Sequence, residues 1–236
     1  MTTEYSLDTY LQGICVYLVS EDAFLSKKKQ EFLFFYEKMV EYLCVKKYCD
    51  TKRYMVRKLF VGISLDAKAN TSLDRNLREF SSFPVFWTEA SDRHITMAFL
   101  GNVEDEYLLN ISEGIYTSLK DLDAFDVFLE SISSGFSGDR LKSITARVQE
   151  SEELDTLHAR LAKELKSFVR IEKKRFRPHV TLGRFRRFGG DGVEERQKYQ
   201  VEKRIRIPVF VSSVTLFESV QEKNKKTYVP IDVFDI

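Results

Sequence analysis

His94-Ile95-Thr96-Met97-Ala98-Phe99 and His179-Val180-Thr181-Leu182-Gly183-Arg184 decide how this chain of 236 residues is read. Through five positions each stretch runs histidine, β-branched residue, threonine, large apolar residue, small residue. Such runs favour strands, on which successive side chains point to opposite faces. His94, Thr96 and Ala98 then share one face, and Ile95, Met97 and Phe99 the other. The second copy sets His179, Thr181 and Gly183 against Val180 and Leu182. One face of each strand enters a core, while the other offers an imidazole, a hydroxyl and a residue too small to obstruct a ligand. Two such strands facing each other frame a cleft.

Around them the pattern is mixed. Strands are expected over 58–65, 126–136, 143–148, 205–211, 214–219 and 228–234, besides 94–100 and 179–185. Helices are expected over 70–80, 105–119 and 151–168, with a short charged one over 193–203. The helix after Ser151 is the clearest: a serine cap, Glu152 and Glu153 at its positive end, and a Leu154, Leu157, Leu161, Leu165 stripe. The connections are too short for regular parallel crossovers. The expectation is an α+β fold with antiparallel sheets, built as two related lobes.

The chain carries 37 Lys+Arg against 36 Asp+Glu, a formal charge of +1, with 43% hydrophobic residues. This excludes a polybasic tail and long disorder. Cys15, Cys44 and Cys49 are odd in number and form no CxxC, so neither a disulfide framework nor a zinc site is expected. Glu4 and Asp8 precede the apolar run at Gly13–Val19 where a signal peptide needs positive charge. No run reaches the roughly 18 apolar residues of a membrane helix. A cytoplasmic protein is expected, with residues 1–54 as an extension whose charges cancel. Phe32, Phe35 or Tyr36, Met39 and Leu43 suggest an amphipathic helix there.

Paired imidazoles and hydroxyls suit phosphoryl chemistry at a sugar hydroxyl. A neutral imidazole takes a proton from water while an imidazolium protonates the leaving oxygen. The threonine hydroxyls donate to non-bridging phosphate oxygens. Neither metal nor nucleophilic side chain is required. A single His-x-Thr on a strand reads as a structural histidine; two matched copies, using two of only three histidines, read as a site. His158, on the leucine-striped helix, belongs to no such echo and reads as structural or surface.

The stretches His94-Ile95-Thr96-Met97-Ala98-Phe99-Leu100-Gly101 and Phe176-Arg177-Pro178-His179-Val180-Thr181-Leu182-Gly183-Arg184 resemble the paired His-x-Thr-x motifs of the two-histidine phosphoesterases. They are most similar to those of the RNA 2′,3′-cyclic phosphodiesterases, also called 2′-5′ RNA ligases. The resemblance covers about residues 55–236. It implies a bilobal fold, an antiparallel sheet in each lobe flanking a central cleft, with helices outside. It also implies a hydrolase of RNA processing that opens 2′,3′-cyclic phosphates at RNA ends, tRNA fragments included, to 2′-phosphates without metal or other cofactor. Carried across, His94 is the proton donor to the 3′ oxygen, His179 the acceptor that activates water, and Thr96 and Thr181 hold the phosphate. Alternatives are 2′-5′ ligation, cleavage of 2′-5′ oligonucleotides, or binding of RNA ends without turnover. Gly183 departs mildly from the alanine more often expected there.

RNA contact should leave an electrostatic trace. Between Ile171 and Arg206 twelve basic residues stand against five acidic ones, a local +7. Arg177, Arg184 and Arg186 are the candidate contacts, with Phe176, Phe185 and Phe188 available for stacking if exposed. Strict alternation points Arg184 away from His179.

Overall fold

Leu59-Phe60-Val61-Gly62-Ile63 is apolar on both faces, and the strand it forms, β1 (Val56–Ser64), is buried on both along this stretch. Asp66 follows as the cap of α1 (Ala67–Leu77), its carboxylate accepting the Ala69 N–H at 2.7 Å. This computed structural model describes residues 55–138, 140–169, 175–186, 197–222 and 225–236. The cysteines and the expected amphipathic helix lie outside the described residues.

The remaining elements are β2 (Val85–Trp87), β3 (His94–Glu104), α2 (Leu108–Leu119), β4 (Phe125–Ser137), β5 (Arg140–Val148), α3 (Glu152–Leu165), β6 (His179–Phe185), β7 (Glu202–Val211), β8 (Ser213–Glu222) and β9 (Lys225–Asp235). The α+β expectation is met. Ser151 caps α3 by accepting the Leu154 N–H at 3.2 Å, and its four stripe leucines are fully buried. The three-residue strand β2 was not foreseen. The expected helix over 193–203 lies partly outside the described residues; helical backbone covers 197–199, and β7 begins at Glu202.

Among the described residues all pairings are antiparallel, in the order β7-β4-β5-β6-β3-β1-β8-β9, with β2 added beside β6. The two expected sheets are therefore joined into one curled sheet. The join is a single residue pair, Ile95 opposite Val180. On one side of that pair the Pro178 carbonyl turns to β5, accepting the Val148 N–H at 3.1 Å. On the other β6 turns to β2: Trp87 faces Gly183, and the Thr88 N–H reaches the Leu182 carbonyl at 2.9 Å.

Each motif strand also carries a register shift at the same place. Val61 faces Ala98 and Gly62 faces Thr96, which leaves Met97 as the extra residue of a bulge. Ile144 faces Gly183 and Thr145 faces Thr181, which leaves Leu182 extra. The fourth residue of each motif thus resets the alternation. Ala98 and Gly183 are buried, and Phe99 and Arg184 are exposed. The small fifth residues do not line the cleft face. They serve packing: a Cβ on Gly183 would stand 2.4 Å from Val85 Cγ1, so the glycine admits β2. The same bulge turns Arg184 onto the face of His179 and Thr181, where unbroken alternation would have hidden it.

Candidate active site

His94 and His179 open β3 and β6 at the seam between the halves. The register through Ile95 and Val180 sets His94 against Thr181 and Thr96 against His179. Each imidazole is held alike by its own strand: His94 Nδ1 lies 2.8 Å from the Asp92 carbonyl oxygen, and His179 Nδ1 lies 2.9 Å from that of Arg177. A carbonyl only accepts, so Nδ1 carries the proton in both rings and Nε2 is left for chemistry. Neutral, Nε2 is a base; protonated, it is an acid.

The surroundings differ. His94 sits among aromatic rings, 4.7 Å from Phe60, 5.7 Å from Phe217 and 4.8 Å edge-on from Tyr228. A Cβ at Gly62 would meet the Ile95 carbonyl oxygen at 3.2 Å and touch the His94 and Phe60 rings at 3.4 Å, so β1 packs closely beneath the His94 ring. Burial lowers the proton affinity of His94; the Asp92 carbonyl and carboxylate oppose this, while Lys226 and His179 add to it. His179 is exposed.

β5 lies beside the second motif. Thr145 is paired with Thr181, and Arg147 with His179. Arg147 is bound to Glu130 at 2.7 Å. Arg184 crosses to hydrogen-bond the Tyr228 side chain, whose own ionisation is disfavoured by burial. Lys226 approaches the Tyr228 ring at 5.2 Å. Its proton affinity is lowered by burial and by Arg184 and Lys58, so these cations gather near one another. Phe60, Phe217, Tyr228 and Lys226 come from strands with no motif, and no local pattern in the sequence marks them.

The basic stretch divides. Arg184 enters the cleft, Arg177 supports His179 through its carbonyl, and Arg186 lies 4.8 Å over the Phe86 ring. On β7, three places from β6, Lys203 pairs with Glu79 and Arg206 lies over Phe128. The expected stacking phenylalanines fare otherwise. Phe176 stacks on His158 with centroids 4.2 Å apart, and Phe185 packs against the core. Phe188 lies outside the described residues. His158 is structural: its Nδ1 reaches the carbonyl of the bulged residue Met97 at 2.8 Å. Among the described residues no group of His, Cys, Asp and Glu is gathered as metal ligands.

The sequence model of a family described as the 2′-5′ RNA ligase superfamily matches residues 67–218. An RNA 2′,3′-cyclic phosphodiesterase of Archaeoglobus fulgidus is 27% identical over 146 residues, which span 61% of this chain and 82% of that one. Among solved structures, the Thermus thermophilus protein TT0787 superposes with a TM-score of 0.64 at 18% identity, covering 75% of this chain and 97% of its own. E. coli LigT complexed with 3′-AMP gives a TM-score of 0.61 at 19% identity, covering 77% and 99%. At such identities these two structures bear on the fold.

Proposed function

This chain belongs to the 2′-5′ RNA ligase superfamily, and from that premise we propose that it hydrolyses 2′,3′-cyclic phosphates at RNA ends through His94 and His179. The reading accords with the activity named for the A. fulgidus relative. The observation that carries it is the pair of imidazoles, each pinned at Nδ1 and free at Nε2, at a seam where each stands opposite a threonine.

In the proposed step, His179 Nε2 takes a proton from water as the water oxygen bonds to phosphorus. The P–O3′ bond breaks, and His94 Nε2–H delivers its proton to the departing 3′ oxygen. The product is a 2′-phosphate beside a free 3′-hydroxyl, and one proton transfer between the rings through solvent resets the pair. Thr96 and Thr181 hydroxyls donate to the non-bridging oxygens, where charge accumulates. No residue of the chain forms a covalent intermediate. With a 5′-hydroxyl attacking phosphorus in place of water, His179 taking its proton and His94 again protonating the departing 3′ oxygen, the same pair joins ends by a 2′-5′ bond.

The test is turnover of an oligonucleotide ending in 2′,3′-cyclic phosphate, in EDTA, by the wild type, His94→Ala and His179→Ala. Each variant should lose about 100- to 10,000-fold in kcat. A 3′-thio substrate, whose leaving group needs no proton, should rescue His94→Ala and not His179→Ala. Loss of wild-type activity in EDTA would overturn the metal-independent step. Variants that keep full turnover would overturn the residue assignment.

A further inference from the structure

Phe86 is the most exposed large hydrophobic side chain among the described residues, at 64%. A lone exposed phenylalanine needs no explanation, but the surroundings of this one are specific. It stands at the centre of β2, a strand of three residues paired with β6 through Val85–Phe185, Phe86–Arg184 and Trp87–Gly183. Residues paired across strands share a face, so Phe86 lies beside Arg184, the arginine that reaches Tyr228 next to His94. Gly183 permits this approach, because any Cβ there would collide with Val85 and crowd Phe86 O at 3.1 Å and Trp87 Cε3 at 3.1 Å. Arg186 closes the arrangement: its N–H donates to the Pro84 carbonyl at 2.9 Å, and its guanidinium lies 4.8 Å over the Phe86 ring.

The place along the strand matters. Phe86, paired with Arg184, lies three residues of strand beyond Thr181, about 10 Å. That is too far for the terminal phosphate held by Thr181, and suited to the nucleotide before it. An aromatic ring flanked by an arginine is the equipment for an unpaired base and its phosphate, since every base has a π-face and backbone charge follows it.

We propose that Phe86 and Arg186 form a subsite for the penultimate nucleotide of an RNA end, the base stacking on Phe86 and Arg186 meeting the phosphate that links it to the terminal nucleotide. The substrate class is thereby an oligonucleotide end and not a free cyclic mononucleotide. This rests on the reading of the cleft as the cyclic-phosphate site.

The experiment compares a 2′,3′-cyclic mononucleotide with a trinucleotide ending in 2′,3′-cyclic phosphate, on the full chain and on Phe86→Ala, Phe86→Trp and Arg186→Gln. The wild type should show the lower KM for the trinucleotide. Phe86→Ala should raise that KM by about five- to a hundredfold and leave kcat/KM for the mononucleotide unchanged. Phe86→Trp should restore it, and Arg186→Gln should raise the trinucleotide KM alone. Equal losses on both substrates, or none on either, would overturn the subsite. If the wild type turned over neither, the cleft reading would fall instead. The subsite would then be judged by binding of a fluorescent trinucleotide 2′-phosphate, and equal affinity of wild type and Phe86→Ala would reject it.

Discussion

Burial of His94 among Phe60, Phe217 and Tyr228 has a consequence for pH. A general acid must be protonated, so the alkaline limb of kcat/KM reports its proton affinity in the free enzyme. That affinity is lowered, so the alkaline limb should lie below the ordinary histidine value of about 6.5. Lys226 is one of the charges that lower it. Lys226→Met should therefore move the alkaline limb to higher pH, as measured in kcat/KM profiles with the cyclic-phosphate oligonucleotide. Movement of the acidic limb instead would exchange the roles of His94 and His179. At this scale the imidazoles and threonines were legible in the sequence, because two copies of one pattern marked them. Their aromatic and cationic neighbours were not, since Tyr228 and Lys226 reach the site only through the pairing of β9 with β8 and of β8 with β1.

Among the elements, β2 and α3 have a larger part than their sequences announce. Gly183→Ala should cost about 1–3 kcal/mol, because the added methyl meets Val85 Cγ1 at 2.4 Å and must push β2 away. A lower urea midpoint with unchanged slope is the expected result. On α3, His158 serves the carbonyl of the bulged residue Met97. His158→Phe keeps a ring against Phe176 and leaves the Met97 carbonyl without its donor, at about 1–3 kcal/mol. His158→Leu should lose the stacking contact as well, and so unfold at lower urea than His158→Phe. The helices were legible from their apolar spacing, and α3 also from its Ser151 cap and leucine stripe; the Asp66 cap of α1 was not. The alternation of the motif strands was legible only as far as the fourth residue, because a bulge is created by both partner strands and has no signature in one of them.

Across the whole molecule, the charge that averages to +1 is distributed unevenly. Arg184 of the second motif reaches Tyr228 in the cleft, while Lys203 is drawn to Glu79 and Arg206 to Phe128. Two or three phosphate contacts, not the twelve that a count of basic residues suggests, should set the salt dependence. A plot of log(1/KM) against log salt should have a slope of about −1.4 to −2.1 for an oligonucleotide end, and a shallower one for a cyclic mononucleotide. A slope near zero for the oligonucleotide would remove the arginines from binding.

The sequence by itself determined that two His-x-Thr strands exist, that a leucine-striped helix lies between them in the chain, and which family they resemble. Periodicity and short motifs are local properties, written in consecutive residues. Only the tertiary structure decided that the two halves meet through one pair, that Met97 and Leu182 bulge, and that Arg184 therefore faces His179. It also decided that Phe176 supports His158 while Phe86 stands in solvent. Which face a strand residue takes depends on the register of its neighbours, and register is a property of strands distant in sequence.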